Sequence, residues 1–140
     1  MKPAEAVVEV LRRLGEADFD GCAELLAADF VQEYPIPPME GVPARIVGIA
    51  AFLDFVRPGM SAFEPYRFRL VELHEMLDAR IVIAEYTSHS RLRATGAPYS
   101  NRYMGVFRFD ASGKLALWRE YLNPMVIAAV FDDISSVPLP

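Results

Sequence analysis

The chain has 140 residues, of which 53% are hydrophobic and 24% charged, with a formal net charge of −5. This is enough apolar chain for one domain with a single core, and it excludes a disordered or fibrous class. The acidic balance, with no basic cluster beyond pairs such as Arg12-Arg13, excludes a phosphate-binding face and with it a nucleic-acid partner.

Val7, Val8, Leu11 and Leu14 recur at helical spacing, Pro3 fits a first turn, and Gly15 predicts the end of this first helix. Glu5 and Glu9 interrupt any signal-peptide core. No apolar run approaches the ~20 residues of a membrane span, so a soluble cytoplasmic protein without a membrane partner is expected. Asp20 predicts the cap of a short second helix carrying Cys22, Leu25 and Leu26. Cys22 is the only cysteine, which leaves no disulfide framework and no thiolate metal cluster. Phe30–Ile36 alternates as a strand and stops at Pro35, Pro37 and Pro38. Ile49, Phe52, Leu53 and Val56 predict a third helix over Gly48–Arg57, ended by Pro58-Gly59.

Four long strands are then expected: Tyr66–Met76, Arg80–Arg93, Tyr99–Phe109 and Lys114–Asn123. The segments between them, such as Asp110-Ala111-Ser112-Gly113, have turn chemistry. Helices followed by a run of antiparallel strands argue for an α+β fold. Three main helices over one face of a curved, mainly antiparallel sheet form a cone with a pocket inside. The domain is expected over residues 1–133, with a loosely held tail over 134–140.

Strand alternation sorts the side chains into two faces. Trp118, Glu120 and Leu122 share one face of the last strand, and Asn101, Tyr103 and Gly105 share one of the strand before it. Val82, Ala84, Tyr86, Ser88 and Ser90 share one of the Arg80–Arg93 strand, while His89 falls on the other. Both faces carry apolar residues. Ile81, Ile83 and Leu117 therefore predict a homodimer through the sheet's outer face. No HxH or HExxH spacing supports a metal.

The order helix, helix, strand, helix, sheet resembles the SnoaL-like group of the nuclear-transport-factor-2-like superfamily. Two stretches, VQEYPIPPMEG (Val31–Gly41) and TG-x-x-Y with GVF and GK-x-x-x-WREY (Thr95–Tyr121), resemble the limonene-1,2-epoxide hydrolases. The ending REYLNP is also similar to phenazine-biosynthesis A/B-type proteins. The resemblance places that hydrolase's water-activating aspartate at Glu120. It puts Trp118, Leu122, Asn101, Tyr103, Tyr86 and Ser88 in the cavity with it. The hydrolase's arginine and second aspartate fall on Tyr86 and Ser88, so the Asp-Arg-Asp relay is absent. Its water-holding tyrosine and asparagine fall on Val31 and Glu33.

On that placement Glu33 and Glu120 enter one apolar pocket, where two carboxylates share a proton and one pKa rises. Glu120 is then the acid or base and Glu33 its partner, while Tyr86 and Tyr103 orient substrate or stabilise an oxyanion. The leading expectation is a cofactor-free, metal-free enzyme of isomerase, cyclase or hydrolase type, acting on a neutral, apolar or weakly basic small molecule. The alternative is a non-catalytic small-molecule-binding or scaffold homodimer. A third reading is an epoxide hydrolase with an altered relay.

Overall fold

Burial alternates along Ile81–Leu92: Val82, Ala84, Tyr86, Ser88, Ser90 and Leu92 are buried and the residues between them are more exposed. Period-two burial of this kind makes one face of a sheet the wall of a core. The computed structural model describes the backbone of residues 1–135 and the side chains of residues 1–131. In it this strand, β4, lies inside a seven-stranded sheet, between β6 and the edge strand β3. The elements in chain order are α1 (Pro3–Gly15), α2 (Phe19–Ala23), β1 (Leu26–Glu33), β2 (Arg45–Val47), α3 (Ile49–Ser61) and β3 (Phe63–Glu75). They continue with β4, β5 (Pro98–Tyr99), β6 (Arg102–Phe109), β7 (Leu115–Leu122) and α4 (Pro124–Ser135).

The strand order is β2-β1-β7-β6-β4-β3, with β5 paired to β4. Every pairing is antiparallel except β1 with β7. The architecture is the expected α+β. β6 turns into β7 over Asp110–Gly113, where Asp110 accepts from the Ser112 and Lys114 backbone amides and Gly113 takes φ 86°.

Three rows of partnered residues cross the inner face and fix the geometry of the site. One runs Ile46–Gln32–Trp118–Phe107–Val82, the next Glu120–Gly105–Ala84, and the third Leu122–Tyr103–Tyr86. α1 lays Ala6, Val7, Val10, Leu11 and Leu14 on this face; Val7, Leu11 and Leu14 of the expected stripe are buried, while Val8 faces outward and Val10 takes its place. α3 buries Phe52 edge-on against Phe30, with ring centroids 5.0 Å apart.

Several boundaries differ from the expectation. The short second helix is capped by Asp18, whose carboxylate accepts from the Gly21 amide, and not by Asp20. Leu26 already belongs to β1, so the first strand starts earlier and ends at Glu33. α3 continues through Pro58 to Ser61, with both Pro58 and Gly59 inside it. A fourth helix, α4, follows β7. Pro124 opens it at the first helical position, and Asn123 accepts from the Met125 amide. Ile134 and Ser135 of the expected tail belong to this helix, and the rest of the tail lies outside the described residues. Among the described residues no helix is long and apolar enough to cross a membrane.

Candidate active site

At one end of the cone α3, α4 and the 34–44 loop rim a partly open cavity of about 220 Å³. Its wall is overwhelmingly apolar and aromatic. Phe55, Val56 and Met60 come from α3, Met39 and Val42 from the loop, and Ile127 and Phe131 from α4. Glu120 is the one carboxylate among the described residues that line it.

Glu120 is 7% exposed. Burial raises its pKa from the ordinary 4.5 to about 7, against the opposing effect of a hydrogen bond from Tyr86. Tyr86 Oη donates to Glu120 Oε2 and accepts from Trp118 Nε1 at 3.2 Å. Burial, then the adjacent Glu120, hold the Tyr86 hydroxyl well above its ordinary pKa. It is therefore a neutral donor at physiological pH.

A second polar cluster lies one residue row away. Tyr103 Oη is 2.9 Å from Tyr66 Oη, 2.8 Å from Ser88 Oγ and 3.1 Å from Tyr99 Oη. One donor and two acceptor sites on a phenol are thereby all engaged. Asn101 Nδ2 donates to Tyr99 Oη at 2.9 Å and to the Asn123 carbonyl at 3.0 Å. This ties the start of β6 to the end of β7 and the mouth of α4. Tyr86 and Tyr103 stack with ring planes 6° apart and centroids at 5.1 Å, which joins the two clusters. Burial pushes Tyr66, Tyr99 and Tyr103 above the ordinary phenol pKa, so they too are neutral donors.

Of the residues anticipated from the sequence, Glu120, Trp118, Leu122 and Tyr103 line the cavity. Tyr86, Ser88 and Asn101 stand behind the wall, each bonded to a lining residue. Val31 and Glu33 are placed differently. Gln32 is the β1 residue partnered with Trp118, so its neighbours point to the outer face. There Glu33 lies 3.6 Å from Arg119, and Val31 is partnered with Leu117 and Val47. The expected proton-sharing pair of Glu33 and Glu120 does not assemble.

Their places are taken by Gln32 and Tyr34, which line the cavity. The sequence carried a signal for this. Phe30, Gln32 and Tyr34 share one parity, and Phe30 is the bulky apolar residue that marks the buried side. Burial, then the Glu120 carboxylate, raise the Tyr34 pKa well above its ordinary value.

Away from the cavity, β3–β4 pairing brings Glu72, His74 and Glu85 together on the outer face, with ligand atoms within 4.8 Å of one another. His74 Nε2 and Glu85 Oε2 are 2.9 Å apart, an ion pair that raises the histidine pKa. Cys22 is buried in the core, and burial pushes its thiol up to about 12, which makes it unreactive.

The profile of the SnoaL-like domain matches residues 7–118. The chain belongs to the SnoaL-like family. It is 30% identical over 135 residues to the uncharacterized protein YesE of Bacillus subtilis (strain 168), covering 94% of this chain and 90% of that one. A Bacillus subtilis protein provisionally named an isomerase superposes with a TM-score of 0.81 at 29% identity, covering 94% and 96% of the two chains. The epoxide hydrolase/cyclase-like enzyme SalBIII, with a role in pyran ring formation in the polyether salinomycin, superposes at 0.74 with 18% identity, covering 89% and 92%. At that identity the likeness concerns the fold alone. SnoaL-like proteins of this shape thus include neighbours named for isomerase, cyclase and epoxide hydrolase-like activities.

Proposed function

We propose that this SnoaL-like protein is an enzyme that relocates a proton on a neutral, apolar small molecule, with Glu120 as its acid and base. The observation that carries the reading is the solitary Glu120 carboxyl in an apolar cavity, with a pKa near 7 and a bond to Tyr86. A general acid–base works best when its pKa lies near the working pH. As carboxylate, Glu120 takes a proton from a carbon beside a carbonyl; as carboxylic acid, it returns that proton at another atom. The charge that develops on the carbonyl oxygen needs neutral O–H donors. Tyr34 and Tyr66 line the same cavity and keep their protons at pH 7. Isomerisation and ring closure need no more than this.

Hydrolysis of an epoxide requires a separate acid to protonate the opening oxygen. Tyr86 already commits its proton to Glu120, and burial makes Tyr34 and Tyr66 hydrogen-bond donors but poor acids, so this reading ranks below isomerisation and cyclisation. A binding protein without turnover is the remaining alternative.

The test is solvent deuterium incorporation into a panel of cyclic ketones and enones, followed by NMR. Wild type is expected to exchange α-protons above the buffer rate, and Glu120→Gln to lose about 10²-fold or more while keeping ligand affinity. Exchange at the buffer rate in both proteins, with ligand bound, would move the assignment to a binding protein.

A second copy is proposed to pack on the outer face, where Ile81, Ile83, Val106 and Met104 lie among charges of both signs, Glu85 and Arg102 included. Mixed charge around an apolar centre suits a self-complementary two-fold contact. Leu117, expected in that patch, is only 8% exposed and adds little to it. Sedimentation at micromolar concentration should give twice the 15.7 kDa chain mass; a monomer at every concentration would remove the dimer.

A further inference from the structure

Gln32 is 1% exposed, and neither Nε2 nor Oε1 of its side chain has a hydrogen-bond partner among the described residues. A buried amide is normally satisfied, because an unmade bond on each side costs free energy. Gln32 is also part of the cavity wall, in register with Trp118 and on the same face as Glu120. The cavity wall thus holds an unpaired donor and an unpaired acceptor on one planar group in apolar surroundings, both enclosed until the side chain turns toward a ligand.

We propose that Gln32 is the polar anchor for the substrate, and that the substrate is an uncharged ring compound with a lactam or carboxamide edge. This rests on the reading of the Glu120 cavity as a substrate site. An amide edge of that kind accepts from Nε2 and donates to Oε1 at once, in two parallel bonds. A ketone or lactone satisfies Nε2 and leaves Oε1 without a proton. A carboxylate sets its charge against the Oε1 lone pairs and against the Glu120 carboxylate. The Gln32 and Glu120 rows are two residues apart along the sheet, about 7 Å. With the amide edge on Gln32, the reacting atom lies about a ring's width away, beside Glu120.

The test uses three two-ring probes of one shape: 3,4-dihydro-2-quinolinone (donor and acceptor), dihydrocoumarin (acceptor only) and tetralin (neither). Trp118 is the only tryptophan, so its single indole N–H resonance reports cavity binding directly. Wild type should bind the lactam at least about tenfold more tightly than the lactone. Gln32→Leu and the unbranched Gln32→Met should erase that preference, bind tetralin more tightly than wild type does, and melt no lower.

Equal binding of the three probes by wild type overturns the anchor, as an internal water satisfying Gln32 would produce. So does a lactam preference that survives in Gln32→Met, or a lower melting temperature in both variants, which makes Gln32 structural. The two assignments separate cleanly. A lactam preference without proton exchange on any ketone retains the anchor and removes the catalytic reading. Proton exchange without the preference does the reverse.

Discussion

Tyr86 and Glu120 belong to strands that are not neighbours, and the phenol reaches across β6 to donate to the carboxylate. The span covers two inter-strand gaps of about 4.8 Å each. It passes the row that carries Gly105 and Ala84, the two smallest residues on this part of the inner face. The bond favours the ionised acid and burial favours the neutral one. Burial prevails, and the pKa settles near 7.

This balance makes stability depend on pH in a defined direction. In the unfolded chain Glu120 titrates at its ordinary 4.5, in the folded chain at about 7. The folded state therefore holds the proton more tightly. The associated stability is complete below pH 4.5 and is lost as pH rises through 7. The difference corresponds to about 3 kcal/mol. Glu120→Gln removes the titration, so the variant should gain about 3 kcal/mol relative to wild type between pH 4.5 and pH 8. Urea denaturation at the two pH values measures it. An offset between variant and wild type that does not change with pH would mean that Glu120 titrates alike folded and unfolded.

Tyr86→Phe removes the one hydrogen bond that lowers the Glu120 pKa. The midpoint should move above that of wild type, and any rate limb assigned to Glu120 should move with it. The variant also strips Trp118 Nε1 of its acceptor, so a stability loss of about 1–3 kcal/mol is expected. Carboxyl-resolved ¹³C NMR of wild type and variant reads the midpoint. A shift downward would show that the phenol does not act as a donor to the carboxylate.

The cone was legible in the sequence because its helices and strands carry strong periodic patterns, as in Val7–Leu14 and Ile81–Leu92. The inward set on β4, β6 and β7 followed from strand parity once the resemblance had set its direction. On β1 the resemblance placed Val31 and Glu33 inside, against the parity that Phe30, Gln32 and Tyr34 share. The partnering of Gln32 with Trp118 settles the face, and that pairing joins segments about 85 residues apart. No local pattern encodes such a contact. α4 was missed for another reason: its run Met125–Phe131 is apolar all round, with little helical contrast, although Asn123-Pro124 marks its start.

Glu33→Gln tests the revised placement. The Glu33–Arg119 pair is partly solvated at 3.6 Å, and such pairs contribute about 0–1 kcal/mol. The variant should change stability by no more than that and leave the Glu120 midpoint where it is in wild type. A displaced midpoint would return Glu33 to the site.

Gly105 is the residue on which the geometry of Glu120 and Trp118 depends most tightly. It is partnered with Glu120 on one side and Ala84 on the other, with no positive φ to demand a glycine. The demand is for space. A Cβ at this position would lie 2.5 Å from Phe107 Cε2 and 3.0 Å from Trp118 Nε1. Those two rings stack with centroids 5.1 Å apart, and both are buried, so neither can swing into solvent. Gly105→Ala must therefore displace Phe107 and, through their stacking, Trp118, or spread β6 from β7. Overpacking of this kind costs about 1–3 kcal/mol, partly offset by the better strand propensity of alanine. The indole N–H resonance of Trp118 should move as its bond to Tyr86 lengthens, and the Glu120 midpoint should rise as Tyr86 loses its fixed position. A variant as stable as wild type, with both signals unmoved, would show that the cavity floor has slack.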